Sequence, residues 1–318
     1  EAVYTNNNGA GALETGDFGL SINGGSVSLG SSAPSSISVS GNVYTLGLSL
    51  SGIASGNEQL SVHPRTDNSI YDAAGNAMVY SANTKTVNLN NVGESLSFDG
   101  SNDVVTVSSS SDFTGIGTGD FALSLWAKLD DNDTWEGLIS KGYYENGVNN
   151  ALVIRREEDG NKIRLSASDG TNNTDIITGS TAITASTGWF HVVVTRASNA
   201  FTLYINGSSN GTGTYTQSLW DNNEPIEFGQ GNGTSNNERL DGKLDEVAIW
   251  NDDITAAEVT ALYNSGIALD ARSNSGNYAS SGDLKGYWKM EEASGTTSTD
   301  LSGYGNNGTI SGATWVMG

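Results

Sequence analysis

Between Leu240 and Ala268 the chain reads LDGKLDEVAIWNDDITAAEVTALYNSGIA, and the change of period inside this stretch leaves few folds open. Asp241-Gly242 reads as a tight turn. Leu244, Glu246, Ala248 and Trp250 then alternate with Asp245, Val247 and Ile249, the two-residue period of a β-strand. Ala256, Val259, Leu262 and Tyr263 follow at helical spacing, and Asn264-Ser265-Gly266 supplies a C-terminal stop. Strand, one short helix, then more strand-like runs describes the close of a β-sandwich whose helix plugs one end. The remaining chain agrees. Forty-one glycines and three prolines in 318 residues, with abundant Ser, Thr and Asn, suit short strands joined by many turns.

Residues 1–91 read as a first domain. Strand-like runs at Phe18–Ile22, Ser26–Leu29, Ser36–Val39, Val43–Leu50, Gln59–Val62 and Thr86–Leu89 predict an Ig-like β-sandwich. The run Asp72-Ala73-Ala74-Gly75-Asn76 resembles the D-x-A-G-N loop of bacterial Ig-like repeats in secreted adhesins. Against that pattern the opening Glu1-Ala2-Val3-Tyr4 reads as a trimmed first strand. It implies either a fragment boundary or an open sheet edge available for self-association. Asn90-Asn91-Val92-Gly93 is a short junction.

Residues 92–318 read as a second domain. Phe98-Asp99-Gly100-Ser101-Asn102-Asp103-Val104-Val105 is a strand, a tight turn and a strand. Phe121–Leu129 is a long strand apolar on both faces, and Asn206-Gly207 after Leu203-Tyr204-Ile205 marks a hairpin. Together with Gly242-Lys243-Leu244-Asp245-Glu246-Val247-Ala248-Ile249-Trp250 and Leu262-Tyr263-Asn264-Ser265-Gly266, these motifs resemble the laminin-G-like, concanavalin A-like jelly rolls. The resemblance implies an all-β chain: an Ig-like sandwich followed by a laminin-G-like jelly roll with one short helix. Leu284–Glu292 and Asp300–Gly308 resemble the segment that usually begins such a domain. The tail therefore either completes a permuted jelly roll or starts a further repeat, and the absence of another opening copy favours completion.

A net charge of −22 argues against nucleic acid, because few side chains here could neutralise phosphates. No cysteine is present, and the two histidines, His63 and His191, are far apart, which disfavours zinc and thiol chemistry. No apolar run reaches the length of a membrane span. The composition suits an extracellular or cell-surface protein.

Catalytic constellations are weak. Asp245 and Glu246 are adjacent, so regular strand alternation sends them to opposite faces. His191 lies in a strand and reads as packed. Lys141, Arg155, Arg156 and Arg196 could make an anionic-glycan patch, but they are few in an acidic chain and are expected to pair instead with local carboxylates such as Glu157, Glu158 and Asp159. Oxygen-rich turns suit calcium better: Asp99, Asn102 and Asp103 in one, Asp131 and Asp133 in another, Asp300 and Asn306 in a third. For a glycan or cell-surface polysaccharide, the expected ligand-binding residues are rim aromatics with neighbouring amides. These are Trp135 with Tyr143 and Tyr144 in one loop, Tyr215 with Trp220 and Asn222 in another, and Asn232 in a third, with Trp220 facing solvent. Trp126, Trp189, Trp250 and Trp288 read as core. The favoured function is non-catalytic, calcium-assisted carbohydrate binding or adhesion. A structural repeat of an adhesin, virion fibre or filament is the alternative, and a polysaccharide-degrading enzyme ranks third.

Overall fold

The computed structural model describes residues 2–24, 27–41, 43–51, 58–88, 94–113, 115–132, 135–142, 151–220, 224–231 and 238–317. Two units divide the chain, Glu1–Gly93 and Glu94–Gly318.

In the first unit Phe18–Asn23 pairs antiparallel with Gln59–Pro64, which pairs in turn with Lys85–Asn88. Ser36–Ser40 and Val43–Gly47 form a hairpin, and Ser28–Leu29 pairs with Leu50–Ser51. Among the described residues, Leu13, Leu20, Val27, Leu60 and Ile70 are buried apolar side chains of this unit. Val3–Tyr4 is paired with Tyr71–Asp72. The adjoining Asp72-Ala73-Ala74-Gly75-Asn76 loop is organised by one carboxylate. Asp72 Oδ1 accepts from the amides of Ala74 and Asn76 at 2.9 and 2.8 Å, and Oδ2 from the Asn76 side chain at 2.8 Å. The Asn76 side chain first, and the loop amides with it, hold this carboxyl below its usual range. Gly75 has φ +83°, and a Cβ there would lie 2.2 Å from the Asn7 carbonyl, so the loop requires glycine.

The second unit is a sandwich of two antiparallel sheets. The first runs Ser208–Thr214, Ala200–Ile205, Phe190–Ala197, Phe121–Leu129, Asp241–Trp250, Glu94–Asp99, Thr314–Met317, with Leu284–Trp288 also paired to Asp241–Trp250. The second runs Asn173–Ala182, Lys162–Ser168, Leu152–Arg156, Glu136–Lys141, Ile226–Phe228, Val104–Val107, Gly308–Ser311, Thr297–Ser298. Alternation divides each strand. Leu123, Leu125 and Ala127 point into the core with Val192, Val194, Ile154 and Leu165, while Ala122 and Val193 belong to a separate apolar layer outside the first sheet. The tail completes both sheets. Ser95 faces Val316 and Val105 faces Ile310, and Trp288 is fully buried between Phe113 and Phe228.

Three local expectations change. Asp241-Gly242 is not a turn, because Asp241 already pairs with Asp99 and Gly242 with Phe98. A Cβ at Gly242 would lie 2.2 Å from the Lys128 carbonyl, so the glycine serves strand packing. The helix, Ala256–Tyr263, has the expected bounds, with a Thr255–Glu258 capping box and left-handed Asn264 at its end. It does not plug an end: Val259 and Leu262 lie against Ala122, Val193, Tyr204 and Trp250, on the outer face of the first sheet. Trp189 precedes its strand and is half-buried, whereas Trp126, Trp250 and Trp288 are buried.

Candidate functional site

Covering one outer face with the helix directs attention to the other. On that first sheet the buried Trp126 and His191 stack beneath the half-buried Tyr263 of the helix, with Trp126–His191 and Trp126–Tyr263 centroids 5.1 and 5.7 Å apart. Ser124 Oγ lies 2.7 Å from His191 Nε2. Burial pushes this imidazole down to about 3, so it is neutral and unfit as a base near neutrality.

The outer face of the second sheet is polar. Leu152, Ile154, Ile163 and Leu165 take the inward positions of two neighbouring strands, which leaves Arg155 and Arg164 directly opposite one another on the outside. Like charges in that register repel unless compensated. Arg155 Nη1 donates to both Glu238 oxygens at 3.1 Å, and Arg164 Nη1 donates to Asp175 Oδ2 at 2.9 Å while its other terminal nitrogen pairs with Glu157. The Trp135 ring lies 4.8 Å from the Arg155 guanidinium carbon and 5.5 Å from that of Arg164. Gly137 makes this arrangement possible. A Cβ there would lie 1.9 Å from the Gly231 nitrogen and 2.5 Å from the Glu238 carbonyl, so only glycine lets the Gln230–Gly231 and Glu238 backbone lie against this strand. The side chains of Arg155, Arg164 and Asp175 are 17, 23 and 49 % exposed, so a ligand can reach them. Burial raises the Glu238 carboxyl, and Arg155 opposes the rise.

Beside this platform lies a buried polar floor. Glu227 faces Ser140 and Thr106 across the strands, accepts from Gln230 Nε2 at 2.9 Å, and is driven by burial to about 7, with Arg239 lowering it and Glu224 raising it. Ser140 Oγ has no hydrogen-bond partner among the described residues.

The structure separates the expected aromatic ligands. Trp135 and Tyr143 do not share a loop, since the strand Glu136–Lys141 runs between them. Trp220 donates its backbone N–H to Ser168 O, at the end of the sheet remote from Trp135, and its ring covers Gly170, leaving it half-buried. Tyr215, only 4 % exposed, belongs to the core and not to a rim. Tyr143, Tyr144, Asn222, Asn232 and Asp133 lie outside the described residues. Arg164, Asp175 and Glu238 were missed by sequence reasoning. The available signal was an arginine at an outward position in each of two apolar strands, LVIRR and KIRLS. Nor are the arginines paired locally: Arg155 reaches Glu238, and Arg156 turns inward towards Glu136 and Asn161.

The acidic turns are largely occupied with their own backbone. Asp103, 6 % exposed, accepts from the Asp99 amide, and Asp99 accepts from Ser101. Asn102 is exposed beside them. Asp300 accepts from the amides of Tyr287, Ser302 and Asn306, and the Asn306 side chain donates to Asp112 and the Lys285 carbonyl. These two staple the tail. Asp131 instead joins Asp130 and Asp99 around Asp241, whose carboxyl rises chiefly through burial and then through these three charges. Among the described residues, Asp120, Asp252 and Asp253 bring carboxylate oxygens within 4.8 Å of one another.

Asp245 and Glu246 break the expected alternation. The register slips between Ser124 and Trp126, and Glu246 adopts φ +50°, a β-bulge that brings the pair into one buried network with Tyr287, Lys289 and Glu291. Tyr287 Oη donates to Glu246. Burial holds Glu246 and Glu291 at about 7 and Asp245 well above its usual range. The network fastens the tail strand.

With this geometry in view, the family profile of the concanavalin A-like lectin/glucanases superfamily matches residues 99–260, just over half of the chain. The chain belongs to that superfamily. The tail strands, beyond Leu284, lie outside the matched region but inside the sandwich. A solved structure described as a candidate carbohydrate binding protein from Bacteroides ovatus is similar over 96 % of this chain and 89 % of its own, with TM-score 0.54 and 18 % identity, a likeness of fold. The heptameric SAP-like pentraxin of Limulus polyphemus matches 54 % of this chain and 82 % of its own (TM-score 0.41, 16 % identity). The Ruminococcus gnavus IT-sialidase CBM40 bound to α2,3-sialyllactose matches 54 % of this chain and 98 % of its own (TM-score 0.43, 10 % identity). No curated protein matches the sequence. No helix among the described residues is long and apolar enough to cross a membrane.

Proposed function

We propose that the chain is an extracellular, non-catalytic carbohydrate-binding protein whose second unit holds a glycan on the outer face of its second sheet. The observation that carries this reading is the half-buried Trp135 ring set against Arg155 and Arg164, with Asp175 and Glu238 beside them. A sugar ring needs a flat surface for its C–H face and fixed donors and acceptors for its hydroxyls, and the indole and the paired side chains beside it are groups of those two kinds. Superfamily membership and the carbohydrate-binding description of the Bacteroides ovatus neighbour support the reading. The Ig-like assignment of residues 1–91 makes that unit a spacer. Binding is measured by calorimetry with Trp135→Ala and Trp220→Ala in parallel. Trp135→Ala is expected to weaken glycan binding at least about tenfold, about 1.4 kcal/mol, and Trp220→Ala by less than about threefold. Equal losses, or a loss confined to Trp220→Ala, count against the patch.

Calcium is part of the proposal. Asp120, Asp252 and Asp253, and separately Asp99, Asp131 and Asp241, are the carboxylates available to a cation that takes six to eight oxygens. Millimolar calcium is expected to raise the melting temperature by roughly 2–4 °C over a chelator control, about 1 kcal/mol. Asp253→Asn or Asp241→Asn identifies the responsible group by removing the shift. A melt indifferent to calcium leaves the binding reading without an ion.

A further inference from the structure

The charges on this outer face are paired before any ligand arrives. Arg155 spends Nη1 on both oxygens of Glu238, Arg164 is held between Glu157 and Asp175, and Arg239 lies in the field of Glu227 and Asp103. Three guanidiniums are thus matched by five carboxylates, on a chain whose net charge is −22. An acidic sugar arriving here must either displace Glu238 or Asp175 from its arginine or sit beside a carboxylate that is already paired. Like-charge juxtaposition of that kind is strongly unfavourable. A hydroxyl pays no such penalty. It can donate to a carboxylate oxygen that already accepts from an arginine, because each oxygen has two lone pairs, and the ion pairs persist.

We infer that the Trp135–Arg155–Arg164 patch selects uncharged oligosaccharides and excludes carboxylated ones, with Glu238 and Asp175 acting as built-in competitors for the guanidiniums. The inference rests on the proposed site and names its substrate class. The arginines do not recruit acid groups; they orient the two carboxylates that receive sugar hydroxyls. Glu238 is the sharper determinant, because both of its oxygens accept from Arg155 Nη1 and its backbone is held against Gly137.

The test is calorimetry of the full chain at low salt. Cellohexaose, mannohexaose and maltohexaose are compared with hexamers of galacturonate and mannuronate, for the wild type, Glu238→Gln, Asp175→Asn and Trp135→Ala, with melts confirming that each variant folds. The expected result is binding of at least one neutral hexamer, no acidic hexamer within about tenfold of it, and a rise in the acidic-to-neutral affinity ratio of at least about tenfold in Glu238→Gln. An acidic hexamer bound by the wild type as tightly as the best neutral one, with Trp135→Ala weakening both, overturns the selectivity and leaves the site. Neutral binding that Trp135→Ala does not change overturns the site itself, as does the absence of binding to every hexamer at millimolar concentration. An unchanged ratio in both carboxylate variants overturns the competitor role.

Discussion

Between pH 5.5 and pH 8 the second unit is expected to lose stability, with its melting temperature falling by roughly 6–12 °C, on the order of 3 kcal/mol. Glu227, Glu246 and Glu291 are each held at about 7 by burial, against an ordinary 4.5, and burial also holds Asp245 well above its usual range. Groups raised in the folded state keep protons there that the unfolded chain has already released. Their stabilisation is complete below about pH 4.5 and is lost as the pH rises through 7. His191 acts in the opposite sense. Its pKa near 3 means that the unfolded chain takes up a proton as pH falls below 6.5, which offsets about one carboxyl in that range. Above 6.5 only the carboxyls contribute. Glu291 is partly exposed and counts for less than its shift alone suggests, so the buried Glu227 and Glu246, with Asp245 beside Glu246 in the bulge, carry most of the effect. Glu246→Gln is expected to melt above the wild type at pH 8 and to flatten the slope, because a neutral amide can still accept from Tyr287. Scanning calorimetry across this range checks it. A flat wild-type profile, or a Glu246→Gln variant with unchanged slope, removes the network from the energetics of the tail.

Truncation of Arg156 to alanine is expected to cost about 3–5 kcal/mol, the usual price of breaking a buried ion pair from one side. Arg156 is fully buried, with a terminal nitrogen 4.0 Å from the equally buried Glu136 and Nη1 donating to the Asn132 and Glu157 carbonyls and to Asn161. Glu136 in turn accepts from the Asp241 amide at 2.7 Å. The pair therefore joins both sheets at the end where Trp135 precedes the strand Glu136–Lys141. Removing the guanidinium leaves Glu136 facing the interior without that partner. Arg156→Met with Glu136→Gln is expected to recover most of the loss, since the amide oxygen can keep the Asp241 contact while the buried charges disappear. Denaturant melts of the single and double variants decide it. A loss of under about 1 kcal/mol in Arg156→Ala would show that the cavity rehydrates at little cost.

How far the sequence could be read depends on range. The strand Phe121–Leu129, the Asn206-Gly207 hairpin and the Ala256–Tyr263 helix are local patterns with local causes, and their bounds follow from periodicity, capping and turn chemistry. Asp241-Gly242 misleads because Asp-Gly signals a turn by composition, whereas here the glycine answers to Lys128 on a neighbouring strand. Glu246 misleads for a related reason. A bulge inserts one residue into an otherwise perfect alternation, and only its partner strand records the slip. The candidate site lies at the long-range extreme. Trp135 and Arg155 are visible in the sequence, but Glu238 is 83 residues from Arg155, and local pairing with Glu157 or Glu158 is the simpler expectation. Trp220 stands out by its polar neighbours, yet Gly170, fifty residues earlier, receives its ring.

Trp135 is half-buried beside two arginines, while Trp250 and Trp288 are enclosed and Trp220 lies at the other end of the sheet. Proton–nitrogen NMR resolves the indole N–H groups in the intact chain, and Trp135→Phe assigns the one in question. On titration with the tightest neutral hexamer the account predicts a saturable shift of the Trp135 signal, with the Trp250 and Trp288 signals unmoved. Saturable binding that shifts Trp220 and leaves Trp135 still would contradict it.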